Sequence, residues 1–481
     1  MNNAQIKENI KKYLKENKEA ILKDLINLCK IPSVSSEGEG GYVFGKNVND
    51  ALCEVKNIAA RFGFEVDVKE KLGYATLSIA KGEKSMGLYS HCDVVPVKAD
   101  EWIKTSPYEP FIDSDGYMYA RGCEDNKSSA VALIYIADMI KKGIIPFESS
   151  YLAYFGGSEE TGMQDLQNYV ANEKMPDICL VPDNSYPVCV GEKGIMRFIA
   201  RPKSNFKQIK TFDGGIAVNA VIGTHISEIA DGGVLFEEIK QKISGNASFD
   251  VKFEDGIITL TAYGKSSHAA MPEGSQNAAV MSAELLCGCE NLCENDRNIL
   301  SSLSELSKDY YGSAVGILAE DEHFGKNTYV LGISSSRNGR GFFKYDIRYG
   351  MTIPSEEMIN NIKKAFEEKG FETEIDENCP CFVTGAPRKY IDAVLKVYAE
   401  ETGISDAKEY YSGGGTYARY LGNSFGMSIH DYSKLEYPEC ELPAGHGEAH
   451  QPDEKIYIDA FFKGIVTDCM MMVELDRLLN E

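Results

Sequence analysis

Short β-rich runs alternate with helical segments through the first part of the chain. The runs ATLSIA (75–80) and MGLYSHC (86–92) predict buried strands, and SYLAYFG (150–156) predicts another. Between them, KSSAVALIYIADMIKK (127–142) has the length and apolar spacing of a helix, and Gly143 is a typical residue for ending it. This alternation predicts an α/β domain in which a mixed sheet is flanked by helices.

The middle of the chain has a different pattern. GIITLTAYG and GRGFFKYDIRYG read as antiparallel strands separated by helices, which predicts an inserted α+β domain over residues 194–380. Residues 1–193 and 381–481 would then form the two parts of the α/β domain. A chain of 481 residues exceeds what one hydrophobic core usually supports, which favours more than one domain.

Composition and charge limit the function classes. Hydrophobic residues make up 43% of the chain and charged residues 26%, a globular profile, and the formal charge of -23 disfavours nucleic acid and membrane partners. The first twenty residues lack the apolar core of a signal peptide, and 13 scattered cysteines are typical of reduced thiols. We therefore expect a cytoplasmic protein. Its CxC and CxxxC spacings do not match the paired CxxC of structural zinc sites.

Five segments place a His, Asp or Glu at a predicted strand end or loop, where a rigid scaffold can present it. They are SHCDVVP with His91 and Asp93, ARGCEDNKS with Asp125, GGSEETG with Glu159 and Glu160, VPDNSYP with Asp183, and GEAHQPDE with His450. Each alone has an ordinary structural explanation, such as a core histidine, a solvated charge pair or a turn residue. Together, two imidazoles and three carboxylates form the ligand set of two divalent ions that share one carboxylate.

Two further acids suit the remaining roles. Asp93 lies two residues from His91, on the same predicted strand face, so it could accept the spare imidazole N–H and fix the tautomer of the ligand. Glu159 is next to the ligand Glu160 but points away from it. That position suits a general base that takes a proton from water and passes it to the leaving amine.

With these motifs the sequence resembles the dinuclear-metal amidohydrolases that include glutamate carboxypeptidase, aminoacylase, carnosinase and the bacterial dipeptidase V type, and it is most similar to the last. The resemblance runs from His91 to His450. It implies that His91 and Asp183 hold one metal, Glu160 and His450 hold the other, and Asp125 bridges them. The ions would be zinc, with manganese or cobalt as alternatives. The resemblance also implies a cis peptide between Asp125 and Asn126.

The same resemblance assigns substrate contacts. Asn219 and His268 would donate hydrogen bonds to the tetrahedral oxyanion, and Arg348 would bind a free C-terminal carboxylate with its guanidinium fork. The glycine-rich segment SGGGTYARYLG would line that carboxylate site. Its contributing residues are Gly414, Gly415, Thr416 and Arg419.

A dipeptidase acting on short peptides with both ends free is the leading hypothesis. An N-acyl amino acid deacylase, such as a desuccinylase, is the alternative, and a noncatalytic binding protein would be a third class. The resemblance implies that residues 1–193 and 381–481 form the catalytic domain and that the inserted domain over residues 194–380 is a lid. Because the insertion is larger than the single small dimerisation domain of many relatives, we expect it to have two subdomains. The doubled lid of the dipeptidase V type implies a monomer in which His268 acts within its own chain.

The sequence also departs from the family pattern. Ser128 stands where many relatives have glycine, and Cys92 is expected to pack in the core. His446 could compete with His450 as a ligand, but only His450 lies in the AHQPDE context that matches the family. We interpret the three other histidines as structural or surface residues: His225, His323 and His430.

Overall fold

A computed structural model describes residues 2–36, 38, 41–337 and 339–481. In chain order, the helices are α1 (Asn3–Cys29), α2 (Lys46–Ala60), α3 (Lys127–Lys141), α4 (Gln164–Asn172), α5 (Val234–Lys242), α6 (Ala278–Cys287), α7 (Glu294–Leu306), α8 (Ser355–Glu368), α9 (Arg388–Thr402) and α10 (Ile458–Asn480). Short 3-10 helices lie at Ala99–Glu101, Glu159–Thr161, Ser313–Val315 and Tyr417–Tyr420.

The strands are β1 (Val66–Lys69), β2 (Tyr74–Ile79), β3 (Ser85–His91), β4 (Phe111–Ile112), β5 (Tyr117–Tyr119), β6 (Ser150–Gly156), β7 (Ile178–Pro182), β8 (Cys189–Glu192), β9 (Gly194–Pro202), β10 (Ile209–Gly214), β11 (Thr224–Ala230), β12 (Phe249–Glu254), β13 (Ile257–Tyr263), β14 (Glu320–Asp321), β15 (Gly325–Lys326), β16 (Thr328–Arg337), β17 (Arg340–Tyr349), β18 (Phe371–Cys379), β19 (Phe382–Val383), β20 (Tyr410–Ser412), β21 (Ser424–Met427) and β22 (Lys455–Tyr457).

The chain divides into two compact units. The first comprises Met1–Gly191, Val383–Tyr410 and Thr416–Glu481, and the second comprises Glu192–Phe382 and Tyr411–Gly415. The glycine-rich loop after β20 thus groups with the second unit. The role of that unit as a lid stays a prediction.

The first unit is built on a nine-stranded mixed sheet. The strand order is β1-β2-β6-β3-β7-β21-β8-β19, and β20 also pairs with β8. The pairs β3–β6, β3–β7 and β7–β21 are parallel, so their carboxyl ends lie at one edge of the sheet. This confirms the α/β class predicted from the alternating pattern.

Helix α3 is the central helix of the first unit. Every side chain from Lys127 to Ile140 is buried, which explains why the segment is apolar on all sides instead of on one stripe. Gly143 follows with a φ of 68°, a left-handed conformation that glycine adopts without steric cost. The predicted helix and its end are therefore confirmed. The amino end of α3 lies directly after Asp125 and Asn126.

A small three-stranded sheet of order β22-β5-β4 also belongs to the first unit. Its antiparallel register pairs Lys455 with Tyr119 and Tyr457 with Tyr117. The pairing brings the segment before β22 next to the loop that follows β5. These two segments carry His450 and Asp125.

The second unit is an eight-stranded antiparallel sheet of order β12-β13-β11-β10-β16-β17-β9-β18. Burial alternates along strands such as β12 and β13, as expected for a sheet covered on one face. The sheet has two four-stranded halves, which join where Gly214 pairs with Ser334. The division of this unit into two subdomains stays a prediction. Side chains from both halves and from α5 to α8 form one continuous hydrophobic core.

In the part of the chain that the structure describes, no helix combines the length and apolar character needed to cross a bilayer.

Candidate metal centre

The proposed ligands converge at the edge of the first unit's sheet where the parallel strands end. His91 is the last residue of β3, Asp183 follows β7, and Glu159 and Glu160 form the short 3-10 helix after β6. Because these strands are parallel neighbours, their ends meet. Asp125, just before α3, lies within hydrogen-bonding distance of His91 at the same edge.

Asp125 lies between the two histidines. Its Oδ1 is 2.9 Å from Nε2 of His91, and its Oδ2 is 3.0 Å from Nε2 of His450. His450 Nε2 is also 3.1 Å from Oε1 of Glu160, and His91 Nε2 is 3.7 Å from Oδ2 of Asp183. The side chains therefore form two groups that share one carboxylate, each of whose oxygens faces a different imidazole.

Donor atoms within 4.8 Å of one another define two overlapping sets. One comprises His91, Glu159 and Asp183, and the other comprises His91, Asp125 and Glu160. Borderline divalent ions bind such mixed nitrogen and oxygen donors. Glu159 lies as close to His91 as a ligand would, so distance alone does not separate a base from a ligand. Its role as a base stays a prediction.

Crowding of carboxylates dominates the electrostatics. Burial, opposed by His91 and reinforced by Asp183, raises the pKa of Glu159 well above its usual range. Burial and the charge of Asp125 raise the pKa of Glu160 to about 7. Burial lowers the pKa of His450, but the hydrogen bonds to Asp125 and Glu160 outweigh it and raise that pKa to about 11. So many acids at one buried point favour the binding of cations, which is the fit expected of a metal centre.

Asp93 contacts both His91 and the two glutamates. Strand β3 ends at His91, so the argument from a shared strand face does not apply. His91 Nδ1 is 3.0 Å from the backbone carbonyl oxygen of Asp93 and 3.4 Å from its Oδ1. The Asp93 carboxylate also accepts the backbone N–H groups of Glu159 and Glu160, both at 3.1 Å. Asp93 therefore links the His91 segment to the two glutamates.

Glu454 holds the loop that carries Asp125, and sequence reasoning missed it. Its Oε1 accepts the backbone N–H groups of Glu124 and Asp125, at 2.8 and 3.1 Å. Its Oε2 accepts from Nη1 of Arg121, at 2.5 Å, and from the N–H of Gly122, at 3.0 Å. Glu454 belongs to the AHQPDE segment, so its position in that motif was the available signal.

Asp165 and Tyr417 form a second supporting pair that sequence reasoning missed. The Tyr417 hydroxyl donates to Asp165 Oδ2 at 2.5 Å, and both side chains are buried. Asp165 also accepts from the N–H of Gly157, at 2.7 Å, and from the hydroxyl of Ser158, at 2.8 Å. These bonds fix the two residues that precede Glu159. No signal within the local sequence links positions so far apart.

The peptide bond between Asp125 and Asn126 is cis, which confirms the expectation from the family resemblance. The Asn126 amide donates to Pro182 O and to Asp183 Oδ1, both at 2.8 Å. The segment after β7 is thereby tied to the start of α3.

The remaining histidines of the first unit have other partners. His446 Nδ1 is 2.6 Å from Oδ2 of Asp453, whereas His450 faces Asp125 and Glu160 as described. Nε2 of His430 is 3.1 Å from the hydroxyl of Ser128, the residue that departs from glycine. His430 follows β21, which is parallel to β7, and this placement after a strand end was the signal that it would lie near the centre.

In the second unit, Asn219 and His268 lie on adjoining segments. The N–H of Ala269 donates to the Asn219 carbonyl at 2.8 Å, and the N–H of Ala270 lies 3.1 Å from Nδ1 of His268. The side chain of His268 is exposed. His225, by contrast, is buried 3.0 Å from the hydroxyl of Ser282, and burial lowers its pKa to about 3.

Arg348 is buried and already paired. Its Nε donates to Asp346 Oδ1 at 2.7 Å, its Nη2 donates to Asp346 Oδ2 at 3.3 Å, and its Nη1 donates to the Gly413 carbonyl at 3.1 Å. Because guanidinium has five N–H groups, one on each terminal nitrogen is left for a substrate carboxylate. Gly413 also lies against Ala270, since a Cβ built on it would be 3.0 Å from that side chain. The segments of Arg348, His268 and the glycine loop are therefore neighbours within the second unit.

The other predicted residues of the glycine-rich loop have local roles. The N–H of Gly414 donates to the Ser412 hydroxyl at 3.0 Å, and Gly415 ends the segment that groups with the second unit. In the first unit, the Thr416 hydroxyl accepts from the N–H of Ala418, at 3.3 Å, which caps the 3-10 helix that contains Arg419. Their contacts with substrate stay predictions.

Comparison with solved structures supports the fold. The chain is similar to a di-peptidase from Saccharomyces cerevisiae, with a TM-score of 0.60, 15% identity and 99% coverage of both chains. Human carnosine dipeptidase 1 also gives a TM-score of 0.60, at 12% identity over 98% of this chain and 99% of that one. At such low identities, the likeness shows the fold alone.

Sequence comparison gives the family. A Beta-Ala-Xaa dipeptidase of Lactobacillus delbrueckii subsp. lactis is 28% identical over 443 residues, which cover 87% of this chain and 90% of the relative. A putative dipeptidase of Bacillus subtilis, YtjP, is 28% identical over 478 residues, 96% of this chain and 98% of the relative. The model of peptidase family M20/M25/M40 matches residues 87–471. The predicted resemblance and the metallopeptidase class are thus confirmed, and the chain belongs to peptidase family M20/M25/M40.

Proposed function

We propose that this protein is a metal-dependent dipeptidase that hydrolyses short peptides with a free C-terminal carboxylate. The observation that carries the proposal is the position of Asp125, whose two oxygens face His91 and His450 separately. The names of the relatives from L. delbrueckii and B. subtilis, both dipeptidases, support the substrate class.

The ligands proposed for two divalent ions are His91 and Asp183 for one, Glu160 and His450 for the other, with Asp125 shared. Zinc is proposed, with manganese or cobalt as alternatives, because mixed nitrogen and oxygen donors accept all three. When bound, such ions polarise a carbonyl group and lower the pKa of water.

Glu159 is proposed to move the proton. A carboxylate oxygen of Glu159 lies within 4.8 Å of ligand atoms of His91 and Asp183, so it is beside the proposed ions, where a general base has to be. It would accept a proton from the attacking water and give it to the amine that leaves. Asp93 would hold it in place through the backbone N–H of Glu159.

The second unit is proposed to supply substrate contacts. His268 and Asn219 would donate to the developing oxyanion, and the two remaining N–H groups of Arg348 would bind the C-terminal carboxylate beside Gly414 and Gly415. A pocket that recognises this carboxylate favours very short substrates, since it fixes the distance to the scissile bond. Closure of the unit over bound substrate would exclude water.

The test is an activity panel on metal-loaded protein. Ion content is measured first, and then hydrolysis of dipeptides is compared with hydrolysis of N-succinyl and N-acetyl amino acids, with zinc, manganese and cobalt in turn. The proposal expects dipeptides to be cleaved fastest. Faster cleavage of the N-acyl compounds would favour the deacylase alternative, and inactivity on every substrate would favour a binding protein.

The monomer is a separate proposal. If His268 acts within its own chain, a mixture of His268→Ala and Glu160→Ala variants stays inactive. Recovery of activity in the mixture would show that one chain supplies His268 to another, and the monomer would be rejected.

A further inference from the structure

A cavity of about 480 Å³ lies within the first unit, between the first half of α1, the end of α9, the first half of α10 and the segment that joins β21 to β22. None of its wall residues is a proposed metal ligand, base or substrate contact. Its volume is within the range of small-molecule sites. The chemistry of the wall therefore indicates which small molecule would fit.

Part of the wall is apolar. Leu14 and Val466 are buried in it, and Leu435 and Phe462 are half-buried. The Nζ of Lys18 lies 5.4 Å from the centroid of the Phe462 ring, so the stem of this lysine extends along the apolar surface while its charge stays in water. A ligand that covers Leu435 and Phe462 would remove apolar area from water, which favours binding.

The charged part of the wall is formed mainly by lysines. The wall contains one acidic residue, Glu401, and five lysines, which are Lys7, Lys11, Lys15, Lys18 and Lys463. Four of the lysines are on α1, at spacings of four, four and three residues, so they lie on one face of the helix. The chain as a whole has a net charge of -23, and this group of cations is opposite in sign to it.

Two of the lysines are neutralised by partly or fully buried acids. Lys7 Nζ is 2.5 Å from the carboxylate of Glu401, whose side chain is 11% exposed. Lys463 Nζ is 3.2 Å from Asp431, which is buried. Lys7 and Lys463 are therefore part of the polar wall and are not the residues that would hold an anion.

The other three lysines are exposed. Lys11 Nζ is 3.2 Å from Glu8, and Lys18 Nζ is 3.1 Å from Asp459. Exposed ion pairs of this kind contribute little free energy, so a ligand can compete with them. Lys15 forms no ion pair with any residue that the structure describes. It lies between Lys11 and Lys18 on the same face of α1.

We propose that this cavity binds a small apolar monoanion, an acyl or aryl carboxylate, with its apolar part against Leu435 and Phe462 and its charge at Lys15. The five lysines have four partner acids, which leaves one positive charge, and a single negative charge on the ligand would balance it. The concave wall suits a free molecule better than a flat lipid surface. The proposal does not depend on the dipeptidase function.

The first test compares two fluorescent probes with the same rings. Anilinonaphthalene sulfonate is an apolar monoanion, and phenylnaphthylamine lacks the sulfonate. Titrated into the metal-loaded full chain, the sulfonate should bind about tenfold more tightly, the scale of a hydrogen bond to a charged group, and decanoate should displace it. Equal affinity for the two probes, or no displacement by decanoate, would overturn the proposal.

The second test removes the charge of Lys15. In Lys15→Gln, affinity for the sulfonate should fall about tenfold, whereas affinity for phenylnaphthylamine should stay the same. Lys12→Gln is the matched control, because Lys12 is an exposed lysine of the same helix outside the cavity wall. The same sulfonate affinity in both variants would show that the anion is bound elsewhere.

The third test removes apolar surface from the wall. Leu435→Ser should weaken binding of both probes about tenfold, since a leucine side chain covered by the ligand would be lost. Leu318→Ser, at a leucine of the second unit that is 54% exposed, should leave both affinities unaltered. Unchanged binding in Leu435→Ser, with the thermal unfolding midpoint retained, would reject the apolar contact.

Vesicles of phosphatidylglycerol distinguish a free anion from a lipid headgroup. We expect the protein to stay in the supernatant when such vesicles are sedimented, because the net charge of -23 opposes an anionic surface. Sedimentation with the vesicles that Lys15→Gln abolishes would assign the lysines to a membrane surface. That result would overturn the proposal of a small-molecule site.

Discussion

The two units hold their proposed functional side chains in different ways. In the first unit, Asp125, Glu159 and Glu160 lie on backbone segments whose N–H groups are bonded to the carboxylates of Asp93 and Glu454. In the second, the exposed imidazole of His268 lies on the segment between β13 and α6, where the N–H of Ala269 donates to the Asn219 carbonyl. The first arrangement is preorganised for ions, whereas the second presents the proposed substrate contacts. Substitutions of the proposed ligands and of the carboxylates that hold their segments should therefore change metal content, and substitutions of the proposed substrate contacts in the second unit should change turnover alone.

Substitutions of the adjacent Glu159 and Glu160 should give the largest losses of activity. They should also distinguish a general base from a metal ligand within the first unit. Glu160→Ala removes a proposed ligand, so we expect loss of bound ion and of nearly all activity. Glu159→Ala should keep the ions while kcat falls by about 10² or more, the usual scale for removal of a general base. Elemental analysis of both purified variants, with steady-state kinetics, makes the comparison. Equal loss of metal in both would show that Glu159 is also a ligand.

His268→Ala tests the second unit. Removal of one oxyanion donor should lower kcat by about 10² to 10³ without changing bound metal or the midpoint of thermal unfolding. Lys265→Ala, at an exposed position three residues away, is the matched control and should retain full activity. If His268→Ala lost metal, the assignment of metal binding to the first unit and of substrate contacts to the second would be wrong.

Glu454→Gln should have a smaller effect, through the loop that bears Asp125. A carboxamide has one acceptor oxygen and cannot replace both oxygens of Glu454, which together accept four hydrogen bonds from Arg121, Gly122, Glu124 and Asp125. Metal affinity should fall about 10- to 100-fold, as for other groups that support ligands, and excess metal should restore turnover. Titration of the variant and of the unaltered protein with the metal ion measures this affinity. Glu448→Gln changes an exposed glutamate of the same segment and should bind metal normally.

Tyr417→Phe should give the smallest effect on chemistry. The change leaves Asp165 without its 2.5 Å hydrogen bond in a fully buried place, so the free energy of unfolding should fall by about 1 to 3 kcal/mol. Tyr437→Phe, at a tyrosine with 47% of its surface exposed, is the control. Denaturant unfolding measures both variants. An unchanged free energy in Tyr417→Phe would mean that the contact adds no stability.

Local sequence was sufficient to predict several helices and strands of the first unit and to select the acids and histidines near their ends as candidate site residues. Period and length predicted α3, and the alternating runs predicted β3 and β6, because a buried strand or helix needs a continuous apolar segment. The family resemblance of the AHQPDE segment favoured His450 over His446 as a ligand, and the structure places His450 next to Asp125. The shared strand face of His91 and Asp93 was wrong, because the exact end of β3 depends on sheet pairing and not on local pattern.

What the sequence determined by itself was the α/β class, the inserted antiparallel unit and the chemical types of the proposed ligands, since these follow from periodicity and residue chemistry. Only the tertiary structure decided which distant residues support them. Glu454 is 329 residues from Asp125, Tyr417 is 252 from Asp165, and His430 is 302 from Ser128. Such pairs form only after the strands have taken their order in the sheet. A buried polar group without a hydrogen-bond partner is costly, so each of these side chains is paired in the folded protein, but the local sequence does not show with which residue.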